Sequence, residues 1–185
     1  NFSTVVITNG NNVTLNDVNA LNLGASTVSG TLNVTTAGAI TDSGNLAITG
    51  TTTLAAGAAN NITLDNANNF STVAVTNANN VQLVDTNALD LGASTVSGTL
   101  RLTAGGSITQ SGVLNVTGTS TIDLTTAGTD ILLGSFANDL GATAPRFTGT
   151  LGNIRDVSFQ NVNAGALVPV IAPATTNLSG LTSLR

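Results

Sequence analysis

The sequence predicts an all-β fold, a right-handed parallel β-helix (β-solenoid) with three strands per coil and coils of about 19–27 residues. Three observations predict it. Residues 1–54 align without a gap on residues 69–122, and two thirds of those positions are identical. Inside this 68-residue period, short segments alternate apolar and polar residues at period 2 and are rich in Val, Ile, Leu and Thr, the pattern of half-buried strands. Gly, Asn and Ser separate them at short, regular intervals, as expected of a stack of coils rather than of a few long strands.

Three columns of inward residues are read from the alternation. The first holds Val5, Leu32, Leu54, Val73, Leu100 and Ile122. The second holds Val13, Ile40, Ile62, Val81, Ile108, Ile131 and Ile154, and the third Leu21, Leu46, Phe70, Leu89 and Leu114. The residue before each first-column member is Thr in every case: Thr4, Thr31, Thr53, Thr72, Thr99 and Thr121. Thr has high β-propensity, and stacked hydroxyls can bond to one another on an outer sheet surface. Coils stacked in this way rise about 4.8 Å each. The five Phe (Phe2, Phe70, Phe136, Phe147, Phe159) read as core residues, Phe2 being the repeat mate of Phe70.

Corners fall to Asn and Gly. Asn12, Asn61, Asn80 and Asn153 directly precede second-column residues. Asn tolerates left-handed backbone, and its amide can hydrogen-bond along an in-register stack. The pattern loosens after about residue 134, so two units are expected: residues 1–134 as regular repeats and residues 135–185 as a less regular continuation. Pro145, Pro169 and Pro173 all lie in the second unit and should mark corners. The chain begins within a repeated phrase and stops in one, without the polar caps that close natural solenoids, which reads as a section of a longer solenoid.

Composition excludes several functions. Only 7% of the 185 residues are charged, four Arg and nine Asp, giving a net charge of −5. With no His and no Cys there is no zinc site of the usual N/S kind, no thiol nucleophile and no Ser-His-Asp triad. Four scattered Arg do not make the basic face that nucleic acid needs. No apolar window approaches the length of a membrane-spanning helix, the longest run being Ala164 to Ala172 with Pro169 inside it. The N-terminal residues lack the basic start and apolar stretch of a signal peptide.

Phrases such as Leu32-Asn-Val-Thr-Thr-Ala-Gly-Ala-Ile-Thr-Asp-Ser-Gly-Asn-Leu46, its counterpart from Leu100 to Leu114, and Leu54-Ala-Ala-Gly-Ala-Ala-Asn-Asn-Ile-Thr-Leu64 resemble the repeats of filamentous-haemagglutinin-like large exoproteins of Gram-negative bacteria. The resemblance covers residues 1–135 well and residues 150–185 more loosely. It implies secretion through an outer-membrane pore, a long β-helical shaft, and roles in adhesion, biofilm or cell contact. The Asn-Pro-rich motifs of that family's secretion domain are absent, so the likeness is to shaft alone.

Chemistry-bearing constellations are sparse. Enzymes of this fold that act on polysaccharides cluster carboxylates on one outer face, with about 5–10 Å between catalytic partners. Column bookkeeping does not gather Asp17, Asp42, Asp65, Asp85, Asp90, Asp123, Asp130, Asp139 and Asp156 in that way, and they read as turn residues. Asp-rich turns can also supply calcium ligands, but the Gly-Gly-x-Gly-x-Asp calcium repeat is absent. Arg101 and Asp123 are expected at one outward position on successive coils, within reach of an exposed ion pair. An ice-binding Thr array is interrupted at Val6, Asn33, Ala55, Ala74, Arg101 and Asp123. The expectation is therefore a non-enzymatic structural shaft of a secreted, surface-associated protein. It has no catalytic, cofactor-binding or metal residues and no cofactor. Its partners are neighbouring solenoid segments or end-to-end copies and a host or matrix surface, with no nucleic acid and no membrane insertion by this segment. A carbohydrate-active β-helical enzyme using Asp123 or Asp130, an ice-binding solenoid, and an adhesive face are the alternatives.

Overall fold

A computed structural model of the chain describes residues 1–167 together with the two-residue strands Val170–Ile171 and Ser183–Leu184. Pro169 and Pro173, expected at corners, lie outside the described residues. Pro145 directly precedes the strand Arg146–Thr148, at a corner. The chain is nearly all β, and its strands pair in parallel from turn to turn as a β-solenoid. Three strands make a turn: Leu21–Leu23, Ser26–Val28 and Leu32–Thr36 form one, and Leu100–Ala104, Ile108–Gln110 and Leu114–Val116 another. In between, the strands Leu46–Gly57 and Ile62–Ala78 bend around corners and each serve more than one side. One outward file runs Thr4, Asn22, Thr41, Thr63, Gln82, Arg101, Thr121, Arg146, advancing 18 to 25 residues per turn.

The register shows how the 68-residue period sits on the coil. One broad face stacks Val13, Leu32, Thr52, Val73, Leu91 and Gln110. The opposite face stacks Leu21, Ile40, Ile62, Val81, Leu100 and Ser120. Val13 is on the first face and its repeat mate Val81 on the second. Leu21, on the second, has its mate Leu89 in the strand Leu89–Leu91 of the first. Seven face-to-face steps separate Val13 from Val81, so a repeat is three and a half turns. The two copies share local conformation, strand for strand, but are rotated by half a turn about the axis. The short side strand shows this directly. Ser26–Val28 bridges from the second face to the first, whereas its copy Ser94–Val96 bridges from the first back to the second, on the other side of the rod.

This corrects the expected columns. Inward and outward assignments agree with the structure: Leu32, Leu54, Val73, Leu100 and Ile122 are buried, and their preceding Thr residues face outward. The stacking partners differ. Leu32 lies between Val13 and Thr52, and Leu100 between Val81 and Ser120, so the first column is not one ladder. Alternation reports only which way a side chain points, and it is blind to a half-turn because both faces carry the same apolar-in pattern. Of the expected neighbours, Ile40, Ile62 and Val81 do stack in succession, as do Ile108 and Ile131.

One continuous apolar core runs along the axis and includes Leu23, Leu46, Leu64, Phe70, Leu83, Leu102 and Ile131, each at most 1% exposed. Each fully buried side chain of this kind contributes about 1.5–3 kcal/mol. Phe147 is also buried, while Phe2 is 46% exposed. That corrects its expected place in the core.

Of the two roles expected of Asn at the corners, the structure shows the side-chain one. No non-glycine residue among those described has positive φ, so Asn does not supply left-handed backbone. Its side chain acts instead. Asn12 Oδ1 accepts from Thr31 N and Oγ1 at 3.0 and 3.1 Å, and its mate Asn80 Oδ1 accepts from Thr99 N and Oγ1, both at 2.9 Å. Asn61 Oδ1 in turn accepts from Asn80 N at 3.1 Å, extending the ladder by a turn. The space for this comes from Gly30 and Gly98, where an added Cβ would lie 2.4 Å from the Asn12 or Asn80 oxygen.

Candidate functional site

The polar groups that the fold buries come in repeat-related sets. Asn68 is fully buried. Its Oδ1 accepts the Leu46 N–H at 2.8 Å, and its Nδ2 donates to Asp42 Oδ2 at 2.8 Å. In the second repeat Asn138, also fully buried, accepts the Leu114 N–H at 2.9 Å and exchanges two hydrogen bonds with Gln110. Leu114 and Gln110 are the mates of Leu46 and Asp42. Ser26 and Ser94 repeat a third arrangement, each accepting a backbone N–H from the preceding turn (Ile7, Val75) and donating to a glycine carbonyl (Gly24, Gly92). These groups close corners where the backbone ladder is interrupted, so every one is a structural acceptor or donor.

The Asp residues are spread in the same way. Asp17 and Asp85 are buried mates, taking the backbone N–H of Phe2 at 3.0 Å and of Phe70 at 3.2 Å. Burial pushes the Asp85 carboxyl up to about 6, against the opposing pull of the Phe70, Thr86 and Asn87 N–H groups. Asp42 holds the backbone N–H groups of Asp65 and Asn66. Asp90 accepts from the hydroxyls of Thr72, Thr109 and Ser111. Asp123 does not share a rung with Arg101: Arg101 pairs with Thr121 and Asp123 with Thr103, a two-residue offset. Burial raises the Asp123 carboxyl, and the attraction of Arg101 only partly opposes this. The close ion pair is a different one. Arg155 is the extra residue of a bulge between Ile154 and Asp156, and it reaches Asp130 through both Nε, at 2.9 Å, and Nη2. Among the described residues, no three or more carboxylates gather closely enough to hold a metal ion.

Among the described residues, open grooves lie on both sides of the rod, and two of them bear on function. The first, about 480 Å³, lies where the side strand Ser26–Val28 and its stacked successors end, and it is lined by Ile48, Thr49, Asn69, Ser71 and Asp90 among others. The second, about 380 Å³, follows the strands Ser94–Val96 and Leu114–Val116, and its lining includes Thr95, Asn115, Thr117, Asp139 and Asn163. The two share repeat-equivalent positions: Ile48 with Val116, Thr49 with Thr117, and Ser71 with Asp139. Neither is lined by an Arg. Sequence reasoning missed both grooves and the buried Asn pair. The recurrence of Leu46 and Leu114 was visible, but the spacing of their caps, Asn68 and Asn138, departs from 68. The outward Thr file Thr31, Thr51, Thr72 runs into Asp90, which interrupts it.

Fold and surface together define the class: a repeat protein of β-solenoid architecture whose surviving polar chemistry holds its corners. The chain belongs to the family DUF5649, described as repeats of unknown function, which matches residues 10–77 and 78–144. Those segments coincide with the half-turn-related units. No curated protein and no solved structure matches the chain.

Proposed function

We propose that this chain is a non-enzymatic structural section of a rod, secreted and displayed at an outer cell surface or in an extracellular fibre, where it supports adhesion, biofilm or cell contact. The observation that carries the proposal is the parallel pairing of turn on turn over a single apolar core, with the buried amides Asn68 and Asn138 and the carboxylates Asp17 and Asp85 engaged where the ladder breaks at corners. Such a stack resists bending because deformation would break hydrogen bonds along a whole face at once. The resemblance to filamentous-haemagglutinin-like exoproteins supports the extracellular setting. The low share of charged residues supports neighbours of the same kind, either further solenoid turns of the same polypeptide or end-to-end copies, because few charges on the strands oppose a stacked partner. No helix among the described residues is long and apolar enough to cross a membrane. The test is electron microscopy of the chain and of tandem copies, with localisation in the producing cell. Rods lengthening by a fixed increment per repeat, in the extracellular fraction, are expected. Compact particles, or a cytoplasmic pool alone, would overturn the proposal.

A further inference from the structure

We propose that the side strand of each repeat forms a binding edge for a neutral, hydroxyl-rich glycan chain, and that successive repeats present this edge on opposite sides of the rod, so that one two-repeat unit bridges two chains. The second groove shows the chemistry most clearly. Its outward rung stacks Thr95, Asn115 and Asp139 on successive turns, and Asn163 Nδ2 donates to Asp139 Oδ1 at 2.9 Å to extend it by one more. The side chains of Thr95, Asn115 and Thr117 are exposed and make no hydrogen bond within the described residues. Amide, hydroxyl and carboxylate groups spaced at the coil rise of about 4.8 Å offer donors and acceptors at intervals close to those of the sugars in an extended chain. The exposed Ala142 methyl lies on the wall and suits the C–H face of a sugar.

Charge selects within the class. An anionic polymer needs cations, and neither groove has one. A polycation would need more than the single carboxylate that each groove provides, Asp90 or Asp139, and Asp90 already accepts from three hydroxyls. The repeat-mate edge stacks Thr27, Ala47 and Asn69 and leads into the first groove. The half-turn between repeats places it on the far side, so the two edges cannot serve one short ligand together.

The test is affinity electrophoresis of the whole chain through gels cast with a linear β-glucan or a galactomannan, with alginate and polylysine as charged comparators. Bridging is read by light scattering of protein mixed with the retained polysaccharide. Ala47→Arg blocks the first edge and Asn115→Arg the second. Both positions point outward, and circular dichroism verifies each fold. Retardation by a neutral polysaccharide is expected, persisting in high salt. Each single variant should still bind but lose the scattering increase, and the double variant should bind at least tenfold more weakly. No retardation by either neutral polymer, preference for a charged comparator, or unchanged retention of the double variant would overturn the proposal. Those failures leave the rod reading standing, because rod length is measured without any ligand.

Discussion

Replacing Asn138 with Ala should cost about 3–5 kcal/mol of folding stability. The side chain is fully buried and holds four hydrogen bonds. Oδ1 accepts from Leu114 N and Gln110 Nε2, at 2.9 and 3.1 Å, and Nδ2 donates to Gln110 Oε1 and the Leu133 carbonyl, at 3.0 and 2.9 Å. Truncation leaves the Leu114 N–H and the Gln110 Oε1 without partners in an apolar corner, at about 1–3 kcal/mol for each orphaned group, while the Leu133 carbonyl keeps the Gln160 N–H at 3.0 Å. Gln110, itself buried, keeps only its bond to the Gly112 carbonyl at 3.1 Å. Urea unfolding followed by circular dichroism reads the difference, with Asn115→Ala, exposed and unbonded, as the control expected within about 0.5 kcal/mol of the parent. An Asn138→Ala variant within 1 kcal/mol of the parent would refute the reasoning that these corners depend on a buried amide.

Four further outcomes are expected. Thr52→Val should stabilise the chain by about 0.5–1.5 kcal/mol in the same unfolding assay, because the Thr52 hydroxyl is fully buried with no partner. Its mate Ser120, equally unpartnered, should give the same sign on change to Ala. Gly98→Ala should destabilise by about 1–3 kcal/mol, since the new Cβ meets Asn80 Oδ1 at 2.4 Å and displaces the Asn80–Thr99 bonds. A neutral result for Gly98→Ala would deny the close corner approach. Asp85 gives a pH signature. Its folded pKa of about 6 lies above the ordinary 3.8, so the fold prefers the protonated form. Stability from this group is greatest below about pH 4, falls as pH rises through 6, and is flat above. Asp85→Asn should remove that slope and, with solvent screening allowed for, stabilise the protein at pH 7 by about 1–2 kcal/mol. A parent–variant difference that does not change between pH 4 and 7 would contradict the assignment.

Much of the architecture was legible in the residues. Period-2 alternation with Thr outside and Val, Ile or Leu inside identified the strands and their faces, because one buried face imposes that pattern whatever the neighbours are. The stacking order was not legible. Val13 and Val81 are repeat mates, each between an Asn pair and a Leu two residues on, yet stack on opposite faces, since a half-turn leaves the apolar-in pattern unchanged. Asn at corners was foreseen both for its backbone tolerance and for amide bonds along the stack, and only the second operates, as at Asn12 and Asn80. The buried caps Asn68 and Asn138 look like any other turn Asn, because burial of a polar group follows from the path of the next turn. Arg155 reaches Asp130 only through a bulge, a one-residue irregularity that alternation cannot anticipate.

The central claim is that consecutive repeats are rotated by half a turn. The chain has no Cys, so spin labels at Thr27→Cys and Thr95→Cys are unique, and both positions are exposed repeat mates on the side strands. Three and a half turns separate them by about 17 Å along the axis. On opposite sides of a rod two sheets thick, the label-to-label distance by double electron–electron resonance should be roughly 30 Å or more. A distribution centred near 17 Å would place both repeats' side strands on one side and contradict the account.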